Sequence, residues 1–239
     1  MDESVKILCT ICARGGSSSV KNKNIRCLRG KPLIAHSIMQ AKKSNIFNLI
    51  AVSSDSSKIC TISKKWGADH IIHRPAELAT ATISKLPAIQ HAVLESEYMY
   101  GEKFDLIVDL DATAPLRTID DIITSFQMFI EHPKATNLVT ACPARKSPYF
   151  NMLEVNTDGF VELVKKPENS IHRRQDTPHC YDMNASIYIW KRDSLFNSQS
   201  AISDRTLLYI MPEDRSFDID STLDWKIVKL LAKDRMDFS

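Results

Sequence analysis

Val5-Lys6-Ile7-Leu8-Cys9-Thr10-Ile11-Cys12 runs directly into Ala13-Arg14-Gly15-Gly16-Ser17-Ser18-Ser19-Val20-Lys21-Asn22-Lys23-Asn24. The first eight residues form an apolar run of the kind that reads as a buried strand. The adjacent glycines let the backbone turn sharply and expose its N–H groups, and Arg14, Lys21 and Lys23 surround the turn. From Ser4 to Ser54 there are nine Lys or Arg and no acidic residue. A strand, a glycine turn and an acid-free basic loop together make a site for a polyphosphate.

The rest of the composition narrows the partner. The 239 residues are 44% hydrophobic, enough for one sizeable core. Net charge is only +2, so the basic stretch is a local field offset by later acids. That favours a small anion over a nucleic-acid groove. No apolar run approaches the roughly 18–20 residues that span a bilayer, and Asp2 and Glu3 do not suit a secretory signal. A cytoplasmic enzyme is expected. The six cysteines lie far apart. Cys9 and Cys12 have CxxC spacing, but within a strand they would face opposite sides, so reduced core thiols are expected.

Strand and helix patterns alternate over the first two-thirds. Strands are expected at 5–12, 49–53, 70–73, 106–110 and 137–141, with helices at 32–43, 56–66, 85–98 and 119–131. This alternation predicts an α/β fold with a mostly parallel sheet and ligands at its C-terminal strand ends. The rhythm breaks near Pro143. Segments 149–155 and 160–164 flank Asn156-Thr157-Asp158-Gly159, a turn with glycine placed for positive φ, and read as an inserted β-hairpin. A strand at 185–190 and a last helix at 221–233, N-capped by Ser221, are expected to close the chain.

Phe217-Asp218-Ile219-Asp220 puts two carboxylates two residues apart. In extended backbone both face one side, and two hard oxygen ligands plus phosphate oxygens are what Mg²⁺ takes. Asp224 lies one helical turn beyond Asp220. His172-Arg173-Arg174-Gln175, followed by Tyr181 and Asn184, is a second cationic cluster, suited to bidentate capture of a carboxylate. Asp111 to Arg117 and Arg74 to Ala79 each follow a strand. Arg74 has two readings, a phosphate contact or a pair with Glu77.

Together these segments resemble the acylneuraminate cytidylyltransferase family, with its legionaminic acid branch the better match. The opening resembles A-R-G-G-S-K-G-x-x-x-K-N, Gly30 to Ile34 resembles G-K-P-L-I, and Val52 to Asp55 resembles V-S-[ST]-D. Arg74 to Ala79 is R-P-A-E-L-A, Thr113 to Arg117 resembles T-S-P-L-R, and Arg173 to Gln175 is R-R-Q. Tyr181 to Tyr188 resembles Y-x-x-N-G-[AS]-[IF]-Y, and Asp218-Ile219-Asp220 is D-I-D.

The resemblance implies a Rossmann-like three-layer nucleotidyltransferase fold, with a core of residues 1–142 and 184–239 and an inserted dimerisation and sugar-binding segment, 143–183. It implies CTP and a nine-carbon 2-keto acid sugar as substrates, Mg²⁺ as cofactor and a homodimer whose hairpin reaches the neighbouring site. Arg14 and Lys21 would hold the phosphates. Ala13, Gly15, Gly16, Ser17, Asn22, Arg74 and Asp111 would complete the nucleotide site. Asp218 and Asp220 would hold the metal, and Arg173, Arg174, Gln175, Tyr181 and Asn184 the sugar acid. Neither nucleic acid nor membrane is implied as a partner.

The departures are Ser18-Ser19 for Lys-Gly, Ala81 for Asp, Ala114 for Ser and Ala185 for Gly. The lost lysine implies weaker CTP binding. Two other readings compete: a nucleotidyltransferase for another sugar or nucleotide, and a degenerate, non-catalytic paralogue.

Overall fold

A computed structural model describes residues 5–16, 19–80, 83–166 and 173–238. Its frame is a seven-stranded sheet. In chain order the strands are β1 (Ile7–Cys12), β2 (Cys27–Leu28), β3 (Lys31–Pro32), β4 (Leu49–Ser54), β5 (His70–His73), β6 (Leu106–Leu110), β7 (Asn137–Pro143), β8 (Leu153–Val155), β9 (Val161–Leu163), β10 (Tyr181–Lys191) and β11 (Thr206–Ile210). The helices are α1 (Leu33–Ser44), α2 (Ser57–Lys65), α3 (Lys85–Tyr100), α4 (Ile119–Ile130), α5 (Arg192–Asn197) and α6 (Thr222–Leu231).

The large sheet runs β11-β7-β10-β6-β1-β4-β5. Only β10 is antiparallel, pairing with β6 and β7; the β1–β4, β1–β6, β4–β5 and β7–β11 pairs are parallel. Alternation along β1 fixes the layers. Ile7, Cys9 and Ile11 face Ile34 and Ile38 of α1, Ile59 of α2 and Ile122 and Phe129 of α4. Leu8 and Cys12 face Ile89, Ala92 and Val93 of α3 and Leu195 of α5. Each such aliphatic side chain contributes about 1.5–3 kcal/mol on burial. Cys9 and Cys12 therefore lie on opposite faces, as expected. Burial is the main cause that pushes the Cys12 thiol up to about 12 and raises Cys9 well above the usual thiol value, so neither is a thiolate. Among the described residues no helix is long and apolar enough to cross a membrane.

Local signals set the boundaries. α1 starts after Pro32 and ends at Asn45, in the left-handed region. α4 and α6 each open with a capping box, Thr118 with Asp121 and Ser221 with Asp224. Asp224 is thus committed to the helix cap, where its Oδ2 also accepts from the Asp220 N–H at 3.0 Å. The hairpin forms as expected, with Gly159 at φ 84° and Asn156 Oδ1 accepting from the N–H groups of Asp158 and Phe160. Its strands are short, β8 and β9 forming a separate two-stranded sheet. The large sheet resumes at Tyr181, opposite Pro143, four residues before the expected start. β11 and the single-turn α5 carried no sequence expectation; β11 is half-buried at the sheet edge rather than a continuous apolar run.

Two features tie the frame to the segment around Asp218. Arg215 grips Asp121 with two hydrogen bonds of 3.0 and 2.8 Å. Burial acts to raise the Asp121 carboxyl, but Arg215 and the Thr118 cap outweigh it and hold it below the usual range. The second feature is a break in the β10–β7 register between Met183 and Tyr188, where Ala185 sits at φ 51°, a conformation costing an L-residue about 1–2 kcal/mol. This explains why glycine belongs there in the resembled motif.

Two outcomes are expected. Ala185→Gly removes that strain against a smaller chain-entropy cost and raises Tm by about 1–3 °C; a fall in Tm would contradict the strain. The Asp121 carboxyl, depressed in the fold, contributes stability that is present above the ordinary carboxylate pKa of about 4 and is lost as pH falls below it. Asp121→Asn is therefore less stable at neutral pH and shows a shallower acid loss in denaturation from pH 7 to 3.

Candidate active site

At the C-terminal ends of β1, β5 and β6 lies a cavity of about 310 Å³, lined by Arg14, Ser19, Lys23, Asn24, Arg74, Lys85, Asp111, Thr113 and Asp220 among others. The glycine loop forms one wall. Its geometry differs in one respect from the sequence reading: the Gly15 N–H is already used, donating to Asp55 Oδ1 at 2.8 Å. Neither Gly15 nor Gly16 has a positive φ. Gly15 is required because a Cβ there would meet Ser56 Cβ at 2.8 Å, closer than real side chains approach. Asp55 and Ser56, at the end of β4, therefore clamp the loop. Ala13 lies buried beneath it, while Arg14 and Gly16 are exposed; the Arg14 guanidinium donates to Thr80 O at 3.3 Å. Ser17, with Ser18, Ala81 and His172, lies outside the described residues.

Lys21 and Asn22 stand apart from this cavity. Both are exposed and neither lines the cavity. A single 3₁₀ turn over Lys23–Ile25 follows the left-handed Asn22 and carries Lys23 and Asn24 inward instead. Asn24 is buried, its amide donating to Arg14 O at 2.9 Å, with its Oδ1 unpartnered. Lys23 reaches Ile219 O and Asp220 Oδ1, the latter at 3.3 Å. The signal was available: counted from Ala13, the K-N of the motif falls on Lys23-Asn24.

The carboxylates gather opposite. Ile219 is fully buried in a third core cluster with Val20, Leu33, Leu116 and Trp225, and its N–H donates to Thr113 O at 3.0 Å. With Ile219 anchored inward, Asp218 and Asp220 share the other face, as the two-residue spacing requires. Burial, then the facing Asp220, pushes the Asp218 carboxyl up to about 6, and Asp111 adds to the same effect. Carboxylates that crowd each other in this way are a donor set for a hard divalent cation. Among the described residues no cluster of three or more His, Cys, Asp or Glu is arranged to hold a metal alone. The set thus suits Mg²⁺, which takes one or two carboxylates and completes its shell with phosphate and water.

Arg74 is almost fully buried at the cavity wall, donating to Ser53 Oγ at 3.1 Å and Ser53 O at 2.9 Å. Of its two sequence readings, the pair with Glu77 is absent among the described ion pairs. The Asp111 carboxylate receives Lys85 at 2.8 Å on Oδ2 and both the N–H and hydroxyl of Thr113 at 2.8 Å on Oδ1.

The expected sugar-acid residues lie elsewhere within one chain. Arg174 and Gln175 line a second cavity of about 270 Å³ with Lys146, Ser147 and His179, and Arg174 donates to Ala144 O. Arg173 pairs with Asp176 at 3.0 Å. Tyr181 is exposed at the start of β10. Asn184 faces the interior, bonded to Thr140 Oγ1 at 2.6 Å and Ser216 Oγ at 3.0 Å, so it supports the bulge.

The two lysines of the loop give a direct test. Losing an inward ammonium from a phosphate costs about 1.5–3 kcal/mol, so Lys23→Met weakens CTP binding in calorimetry by about one to two orders of magnitude. Lys21→Met changes it by less than about twofold, as for an exposed charge; the reverse ranking would contradict the placement.

Comparisons with known proteins identify the family and the fold. The family described as Cytidylyltransferase matches residues 8–232. The chain is 49% identical over 230 residues to the Campylobacter coli protein named Post-translational flagellin modification protein B, covering 96% of each. It is 47% identical over 226 residues to the Campylobacter jejuni CMP-N,N'-diacetyllegionaminic acid synthase, covering 95% of this chain and 94% of that one. Among solved structures, a CMP:2-keto-3-deoxy-manno-octonic acid synthetase complexed with CTP superposes with a TM-score of 0.68 at 18% identity, covering 95% of this chain and 98% of that chain; that likeness speaks for the fold. With its loop, its carboxylates and these matches in one chain, the protein belongs to the cytidylyltransferase family.

Proposed function

We propose that this chain transfers the cytidylyl group of CTP to a nonulosonic acid of the legionaminic type, giving the CMP-sugar and pyrophosphate in the cytoplasm. The observation that carries the reaction is the facing of Arg14 and Lys23 against Asp111 and Asp220 across one cavity, with Asp218 close by Asp220. The relatives' names support the sugar, since the Campylobacter jejuni protein at 47% identity is a CMP-N,N'-diacetyllegionaminic acid synthase. The flagellin modification protein at 49% identity is consistent with a product used for surface glycans.

Arg14 and Lys23 hold the triphosphate, with Ser19 and the turn at Gly16 beside them. Arg74 and Asn24 supply donors and an acceptor on the wall nearest the loop. Asp218 and Asp220, with Asp111, would hold Mg²⁺, which supplies charge neutralisation at the phosphates. The sugar's anomeric hydroxyl forms a bond to the α-phosphorus as the bond to the bridging oxygen breaks and pyrophosphate departs. Charge grows on the phosphoryl oxygens, so the side chains act through position and electrostatics.

A homodimer accounts for the separation of the arginine pair from this cavity. Leu153, Val155, Phe160 and Val161 on the hairpin are 59–72% exposed, an apolar surface that a second copy would cover. Arg173, Arg174 and Gln175 would then serve a site built between copies, clamping the acid's carboxylate. The inserted segment 143–183 is the unit proposed to do this. Asn184 enters that reading only as support.

Pyrophosphate release from CTP is expected to be fastest with N,N'-diacetyllegionaminic acid in a panel that includes pseudaminic and N-acetylneuraminic acids. Asp220→Ala, at an exposed side chain, lowers the rate by about a hundredfold or more with Tm unchanged, and chelation of the metal abolishes it. Silence with every acid, with CTP still bound, would overturn the proposal in favour of a non-catalytic binder.

A further inference from the structure

We infer that Lys85 is a positioning residue for the metal-binding carboxylate Asp111, held in place by the buried Asp109; the inference rests on the reading of this cavity as a Mg–CTP site. Lys85 is the first residue of α3, where an ammonium opposes the helix dipole. No acidic residue stands in that first turn to offset it. A residue that breaks a local rule at a site wall needs a compensating role, and the geometry supplies one. The Lys85 Nζ lies 2.6 Å from Asp109 Oδ2 and 2.8 Å from Asp111 Oδ2.

The two carboxylates differ in environment. Asp109 has no exposed surface, and its other oxygen accepts the Thr10 hydroxyl at 2.8 Å. Drawing Lys85 away would leave an uncompensated buried charge, which is costly, so the ammonium is fixed and does not swing out to meet a ligand. Asp111 faces the cavity. Its Oδ1 is held twice by Thr113 and its Oδ2 by Lys85, so both oxygens are oriented and Oδ2 retains a lone pair for a cation. Since Asp109 neutralises the ammonium, Asp111 keeps its own charge for the metal. Lys85 thus stands to Asp111 as the outer partner of a metal ligand, a role whose removal weakens metal binding by about 10–100-fold.

The test is Mn²⁺ titration of the whole protein, without nucleotide, read by the free-ion electron paramagnetic resonance signal, with Tm measured in parallel. Lys85→Met is expected to lower Tm and weaken Mn²⁺ binding by about tenfold or more. The double variant Lys85→Met/Asp109→Asn removes both ends of the buried pair. It should recover Tm while Mn²⁺ binding stays weak, and that separation is the signature of positioning. Recovery of both would make Lys85 only a counter-ion for Asp109 and overturn the inference, as would Mn²⁺ binding in Lys85→Met as tight as in the wild type. If both Met variants fail to fold, Lys85→Arg decides. It keeps the charge beside Asp109 but changes the reach to Asp111, so weaker Mn²⁺ binding at near-native Tm supports the inference and unchanged binding overturns it. No Mn²⁺ binding by the wild type would instead remove the metal reading itself, and this inference with it.

Discussion

A guanidinium with no exposed surface holds the functional end of this sheet together. Arg117 donates to the carbonyls of Asp111, Ala114 and Ser186 at 2.8, 2.9 and 3.1 Å, and to the Ser37 hydroxyl. It thereby joins the loop after β6, the bulge of β10 and the inner face of α1. Burial lowers its pKa to about 10, with the nearby carboxylates Asp111, Asp109 and Asp121 opposing that shift, so it stays charged at neutral pH. A buried cation bonded mainly to carbonyls is costly to desolvate. The fold tolerates it because the guanidinium satisfies the Ala114 carbonyl and adds a second donor to the Asp111 and Ser186 carbonyls, which the Ser37 hydroxyl and the Asp111 N–H already reach. Their fixed positions set Asp111 and Thr113, and Thr113 O in turn receives Ile219 N–H. The two acidic segments of the site are therefore registered against each other through one side chain.

From that registration the charge pattern follows. Each cavity carboxylate with a nearby ammonium has a different one, Lys85 for Asp111 and Lys23 for Asp220, while Arg14 and Arg74 supply further positive charge on the loop side. Asp220 is largely exposed and its lysine partly buried, so that pair is loosely held and open to rearrangement. In the Asp109–Lys85 pair the carboxylate is closed to solvent and the lysine is mostly covered, so that pair is fixed. A polyphosphate entering such a site meets cations already aimed inward. Little reorganisation then remains for the reaction itself, the condition under which electrostatic stabilisation is most effective.

The sequence revealed the frame because apolar periodicity and caps are local signals. β1, β4, β5 and β6 and helices α1 to α4 fell within one or two residues of expectation, and Ser221 caps α6 as read. Long-range effects were less visible. Lys21 and Lys23 are equivalent in composition, and only the turn after Asn22 decides which points inward. Gly15 is required by Ser56, 41 positions away in the chain, and not by its own φ. Lys85 carried no motif, yet its position at a helix start was a local conflict that could have flagged it. Asn184 was read as a ligand because polar residues in a motif invite that reading; its partners Thr140 and Ser216 come from distant segments. The separation of Arg173 and Arg174 from the phosphate loop is a property of tertiary structure that no spacing encodes.

The most direct measurement is a crystal structure with CTP and Mn²⁺, read in an anomalous difference map. The account predicts a metal peak bound by Asp218 and Asp220 together with Asp111, with phosphate oxygens between it and the Lys23 and Arg14 side chains. A nucleotide bound elsewhere, or phosphates seated against Lys21 with Lys23 still turned to Asp220, would contradict it.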